Sequence, residues 1–432
     1  MITSDLRSEL TALIGNSGSL NGTGTGSFSS TATALGSSAF EGVLAQLLLK
    51  LIDRLEASTP DPNSAAPGAT GATGATPATP KPVWIFPTTP GAQPGAAVAA
   101  QQSYAAQAVK NQTSPAGAAV STTVIPAAVV AGSNAAAVDF SAYPHPPADN
   151  GRGMHWIPTV SQTPEVVDRY VAALKDMHIK WVTFLNDGAN VGANDYLVQQ
   201  LTANGIEPVL RVYTSGIEPI NGDLGAMVRH YTDLGVSYFQ LYNEPNHSVE
   251  NAGQAPSVDR YLAAWIPAAK TVIDNGGLPG FGALSPGGEF KDTDFLAQAL
   301  DGLNARGELG LLDQGWLSIH NYQGDRPVGD TEGFTRFKVY ADVLEQKLGR
   351  LLPMIGTEGG TFAAGPEDEP RRVQLVSDAY RYMNQREPYN FAYSYWVIAN
   401  AAGGGHDAAW ESQALFQTNG QSPLVAALTD LD

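Results

Sequence analysis

Two glutamates give the first sign of chemistry. Glu244 ends the apolar run SYFQLYNEP (237–245), and Glu358 ends LPMIGTEGG (352–360). A carboxylate directly after an apolar, β-prone run is hard to account for as core, because a buried charge is costly unless it is paired. Two carboxylates facing each other across a cleft can cleave a glycosidic bond. One, with its pKa raised, protonates the leaving oxygen while the other attacks the anomeric carbon. The two residues stand 114 positions apart in the chain, so the elements between them decide whether they meet.

From residue 150 onward, short β-prone runs alternate with helical patterns. The runs are 153–160, 180–186, 207–214, 237–245, 280–286, 315–322, 352–360 and 391–400, and helical spacing covers 163–178, 193–205, 258–277, 292–307, 334–349 and 369–385. Eight strand signals with helical stretches between them predict a (β/α)₈ TIM barrel over 150–432. A doubly wound open sheet is the competitor, but no G-x-G-x-x-G follows an early strand. In a barrel the C-terminal strand ends carry the site, which puts Glu244 on strand 4 and Glu358 on strand 7, across the mouth from each other.

NEP at the end of strand 4 and TEGG at the end of strand 7 resemble the acid/base and nucleophile motifs of the clan A retaining glycoside hydrolases, with families 39 and 5 the most similar. The resemblance spans about residues 150–432. It implies Glu244 as general acid/base, Glu358 as nucleophile, and cleavage of β-linked poly- or oligosaccharide with retention. It also implies that Asn243 bonds the sugar 2-hydroxyl, that Tyr322 bonds the nucleophile, and that Trp396 is the aromatic floor under the cleaved sugar. His320 shares a strand face with Tyr322. The clan's arginine from the end of strand 2 has no counterpart in KWVTFLNDG, which leaves Arg211 on strand 3 as the substitute. His155, Trp156, Asn186 and Asp187 are candidate sugar contacts, and Trp410 is a candidate cleft wall. The aromatics Trp156, Trp396 and Trp410 suggest an extended, endo-acting groove.

Composition narrows the remaining classes. With 24 Lys+Arg against 42 Asp+Glu the formal net charge is −18, which argues against a nucleic-acid partner or an anionic membrane surface. The absence of cysteine removes disulfides, thiolate metal sites and Cys nucleophiles. No metal or cofactor motif appears, and the proposed chemistry needs none.

Residues 1–149 are Ala/Gly/Thr/Pro-rich, with five basic and eight acidic residues. Phe40, Val43, Leu44, Leu47, Leu48, Leu51, Ile52 and Leu55 form the stripe of an amphipathic helix over about 38–57, behind a capping-box start. Such a stripe needs a partner, so self-association or docking is expected. The stretch 58–82 reads as a flexible linker and 83–149 as partly ordered. The apolar run 43–52 is too short to span a bilayer. No signal peptide is recognisable. A polysaccharide substrate nevertheless suggests the cell surface or exterior, with the cytoplasm still open. Two other readings stand beside hydrolysis: a non-catalytic carbohydrate-binding barrel, and a surface or appendage protein assembled through its N-terminal region.

Overall fold

The computed structural model describes residues 138–159, 162–361, 366–400, 408–418 and 420–431. The expected helix at 38–57 and the linker at 58–82 lie outside the described residues, as does most of 83–149.

Eight parallel strands close into a barrel in chain order. They are β1 (Arg152–His155), β2 (Trp181–Asp187), β3 (Glu207–Tyr213), β4 (Tyr238–Leu241), β5 (Leu278–Leu284), β6 (Trp316–Tyr322), β7 (Met354–Gly360) and β8 (Asn390–Tyr395). Helices α1 (Pro164–Asp176), α2 (Asp195–Ala203), α3 (Leu224–Asp233), α4 (Val258–Asp274), α5 (Asp292–Ala305), α6 (Arg336–Leu348) and α7 (Glu369–Met383) connect them. After β8 come the short α8 (Ala408–Glu411), the two-residue strands β9 (Phe416–Gln417) and β10 (Gly420–Gln421), and α9 (Pro423–Thr429). No described helix is long and apolar enough to cross a membrane.

The eight strands lie within a few residues of the positions read from periodicity. α3 was not singled out by that reading, although Asp223 caps it by accepting from the Ala226 N–H at 2.8 Å.

The barrel interior is layered. Trp181, Val209, Tyr238, Trp316, Ile355 and Phe391 form an apolar cluster of their own near the strand starts. Trp316 fits because Gly280 faces it; a Cβ there would stand 2.6 Å from the indole. Two residues further along the strands, by the period of alternation, come Thr183, Arg211, Gln240, Ser318 and Thr357, all buried. Ser318 and Thr357 bond each other through their hydroxyls at 2.9 Å. Polarity therefore rises from the base of the barrel toward the mouth. The residues ahead of β1 belong to this body as well: Phe140 and Tyr143 pack edge-on against Phe391, and the Tyr238 hydroxyl donates to the Pro144 carbonyl.

Candidate active site

Backbone irregularities place both glutamates. Chain after β4 turns sharply, with Tyr242 at φ 65° and Glu244 at φ 34°, a region that non-glycine residues seldom occupy. The Glu244 N–H is held by the carbonyl of Ala283, itself at φ 54° beside a register shift in β5. On the opposite side a register shift between Ile319 and His320 sets His320 level with Glu358. Gly359 and Gly360 then let the rings of Tyr393 and Tyr395 lie against β7; a Cβ on Gly360 would meet Tyr395 at 2.9 Å.

The side chains converge. Glu358 Oε1 accepts from Arg211 Nη1 at 2.6 Å, and its Oε2 accepts from the Tyr322 hydroxyl at 2.9 Å. Glu244 Oε1 lies 2.8 Å from His320 Nδ1, which is 3.8 Å from Glu358 Oε2. Carboxylate oxygens of Glu244 and Glu358 come within 4.8 Å of one another. Both glutamates are buried. Burial alone would raise the Glu358 pKa, but the charges of His320 and Arg211 outweigh it, and Glu358 lies below the usual carboxylate range. Burial opposes a charge on His320 too, yet Glu358 and Glu244 overcome it and its pKa is raised.

His155 caps the floor. Its Nδ1 donates to the Trp156 carbonyl at 2.8 Å, and its ring lies 4.2 Å from that of Trp396. Burial pushes its pKa down to about 4, so the ring is neutral with Nε2 as an acceptor. Trp396 packs edge-on to Trp410 at 5.7 Å, and Tyr322 rests against this pair. A cis peptide joins Trp396 to Val397.

The structure thus brings together Glu244, Glu358, Asn243, His320, Tyr322, Arg211, His155, Trp396 and Trp410. Arg211, expected near Glu358 from strand 3, bonds that carboxylate directly. Two expected sugar contacts go elsewhere. Trp156 is 1% exposed and packs on Tyr170 of α1 within the main core, because it follows His155 by one residue and so faces the other way. Asn186 spends its amide on loop geometry: Nδ2 donates to the Gly188 and Asn190 carbonyls, and Oδ1 accepts from Asn194 and Tyr231. Asp187 ends β2 exposed.

Sequence reasoning missed Glu250 and Gln240. Gln240 Nε2 donates to Asn243 Oδ1 at 3.3 Å. Glu250 sits half-buried in the turn Val249–Asn251, and burial pushes its carboxyl up to about 7. The available signal was a carboxylate six residues past Glu244, in a loop on the site-bearing face.

Among the described residues, Glu244, His320 and Glu358 are the trio whose donor atoms lie close enough to share a metal ion. Arg211 already places a guanidinium on Glu358, a fixed positive charge that competes with a cation bound there.

No family model matches the chain, and no curated protein matches it. Solved structures do resemble its fold. A monomeric β-xylosidase from Caulobacter crescentus CB15 shares 14% identity over 66% of this chain and 68% of that one, with a TM-score of 0.47. A GH128 endo-β-1,3-glucanase from Pseudomonas viridiflava shares 15% over 66% and 98%, at 0.45. An endo-1,4-β-mannanase from Rhizomucor miehei shares 12% over 65% and 95%, at 0.41. Likenesses of this size carry no argument about what the present chain acts on, which rests on its site.

Proposed function

We propose that the chain is a retaining glycoside hydrolase that cleaves β-linked poly- or oligosaccharide. The observation that carries this reading is the carboxylate pair: oxygens of Glu244 and Glu358 lie within 4.8 Å of one another, with Arg211 and Tyr322 on Glu358 alone. Retaining enzymes hold their carboxyls about 5–5.5 Å apart, whereas inverting ones need roughly 6.5–9.5 Å to admit a water.

The asymmetry assigns the roles. Glu358, kept ionised by its neighbours, attacks the anomeric carbon as Glu244 protonates the departing oxygen. The glycosidic C–O bond breaks, and a glycosyl ester forms on Glu358. Glu244, now a carboxylate, takes a proton from water as that water attacks the same carbon, which frees Glu358 and restores the acid. Asn243 bonds the sugar 2-hydroxyl. Trp396 offers an apolar face to the pyranose, and Trp410 extends that wall, which supports endo action on a chain longer than the cleaved sugar. Such a polymer is met at the cell surface or outside it.

The test is sugar release from β-glucan, mannan, xylan and bacterial exopolysaccharides by the wild type and by Glu358→Ala. Release by the wild type alone supports the reading. Equal release by both refutes the nucleophile, and binding without release by either favours a carbohydrate-binding barrel. NMR of the first-formed anomer decides retention, and the length of early products decides endo action.

A further inference from the structure

Strand alternation carries a tyrosine to the barrel mouth above the site. On β3, Val209 belongs to the interior cluster near the base and Arg211 reaches Glu358, so Tyr213, two residues on, faces the same way. Leu210 and Val212 point outward into the main core. β2 runs in register beside β3, with Asp187 opposite Tyr213, and Trp181 in the interior cluster sets the same inward parity for Asp187. The two side chains therefore stand together on one rim, Tyr213 half-buried and Asp187 exposed. The fold uses neither. Among the described residues the Tyr213 ring joins no hydrophobic cluster and pairs with no other ring, and its hydroxyl makes no hydrogen bond. The Asp187 carboxylate has no hydrogen bond and no ion pair there either. An apolar ring face and a carboxylate, side by side and unengaged, suit a sugar: the ring covers its C–H face and the carboxylate accepts from its hydroxyls.

The place of this rim decides which sugar. The attacked sugar lies on Trp396, just past β8, and Glu244, just past β4, protonates the oxygen that departs from it. In the closed strand order β3 adjoins β4 and stands three strands from β8. A group above β3 therefore meets what lies beyond the departing oxygen. We propose that Tyr213 and Asp187 form the subsite for the sugar on the departing side of the bond, the ring stacking on its pyranose face and the carboxylate accepting from its hydroxyls. This rests on the glycosidase reading above and deepens it, since it names what holds the leaving group. Burial raises the Tyr213 pKa, with Glu250 and Asp187 adding to the rise and Arg211 opposing it, so the hydroxyl keeps its proton and is a donor to the same sugar. Arg211 is engaged by Glu358, which leaves Asp187 and Glu250 to set the charge around the ring. The subsite accordingly favours a neutral sugar over a uronate.

The experiment is glycosyl transfer, which reads this subsite whatever the natural polymer is. An acceptor hydroxyl attacks the anomeric carbon of the glycosyl ester, its proton passes to Glu244, and the ester bond to Glu358 breaks. The full chain, as wild type, Tyr213→Ala, Tyr213→Phe and Asp187→Asn, is given 2,4-dinitrophenyl β-glucoside, β-xyloside and β-mannoside as donors. Cellobiose, laminaribiose, xylobiose and mannobiose serve as neutral acceptors, and methyl β-glucoside is set against methyl β-glucuronide. The ratio of transfer to hydrolysis with the best neutral acceptor should fall about 10-fold in Tyr213→Ala. Tyr213→Phe, which keeps the ring, should lose less. Asp187→Asn should lower the ratio about 10-fold as well and narrow the preference for glucoside over glucuronide. A ratio that stays at the wild-type value in Tyr213→Ala and Asp187→Asn, whether or not hydrolysis itself slows, would overturn the subsite and leave the hydrolase reading intact. So would a wild type that hydrolyses a donor but transfers to none of the acceptors. If the wild type cleaves none of these glycosides and no polymer, the hydrolase reading falls and this inference with it.

Discussion

The two ends of the barrel both bury charge, and they use it in opposite ways. At the base Asp149 is saturated: its Oδ1 accepts from the Gly151 N–H and the Trp181 indole, and its Oδ2 is bonded by His145 and Arg386. At the mouth, His155 Nε2, His320 Nε2 and Gln240 Oε1 are buried without a hydrogen-bond partner. Buried polar groups are normally paired. A saturated network closes a structure, whereas unpaired atoms around a carboxylate pair are what a ligand can complete. The base therefore reads as stability and the mouth as chemistry, in keeping with the division of labour in this fold.

That contrast is broken or sharpened first by Glu358→Ala. Turnover should fall by about 10⁴- to 10⁶-fold, the scale on which a group that acts in covalent catalysis is lost. Thermal unfolding should stay put or rise, because removing the carboxylate relieves a costly burial even as it strands Arg211. A drop in stability as large as the drop in rate would make the mouth structural, like the base.

Next comes Arg211→Met. Without the guanidinium, kcat should fall by about 10²- to 10³-fold, the usual cost of losing one preorganised charge contact. The sign of the pH effect is fixed by linkage. Glu358 must be ionised to attack, and Arg211 helps to hold its pKa down. The acid limb of kcat/KM should therefore move to higher pH in the variant. A limb that stays where it was in the wild type would mean that Arg211 only fills space.

Much of this arrangement was legible in the sequence, for physical reasons. β6 and β7 open on apolar residues, Trp316-Leu317 and Met354-Ile355, and are buried along nearly their whole length, as a parallel strand enclosed by helices must be. Glu244 and Glu358 stood out because carboxylates do not follow such runs by default. What could not be read was which neighbours face inward. His155 and Trp156 differ by a single step of strand alternation, and only the register decided that the histidine reaches the site. Glu250 sits in a loop without periodicity, and the hydrogen bonds of Asn246, Asn251 and Ser248 that hold this loop leave no pattern in the chain. α3 begins with Leu224-Gly225-Ala226, too little of a stripe to stand out from a loop.

The base is tested by Asp149→Ala, with Trp181, His145 and Arg386 losing their shared acceptor. Burial alone would raise the Asp149 pKa, but its partners prevail and hold it below the usual value. Its stabilisation is therefore present above the unfolded carboxyl pKa and lost as pH falls through the folded one. At pH 7 the variant should lose about 2–3 kcal/mol of stability in a denaturant titration. Its kcat should remain that of the wild type, and a fall in kcat at full occupancy would show that the base couples to the mouth.

The smallest effect concerns an exception at the base. Glu207, at the start of β3, has a buried Oε1 with no partner, and burial, reinforced by Asp149, pushes its pKa up to about 8. The folded protein then holds a proton that the unfolded chain gives up near pH 4.3. Between those values the native state binds more protons, so stability falls as pH rises from about 4.3 toward 8 and is lowest above it. Glu207→Gln keeps the shape and removes the titration. It should match the wild type below about pH 4 and exceed it by about 1 kcal/mol or more at pH 9, read from urea midpoints at both pH values. A difference that does not change with pH would mean that the Glu207 carboxyl stays solvated. The unpaired carboxyl at the start of β3 would then be no burden on the fold, and the contrast between base and mouth would be the sharper for it.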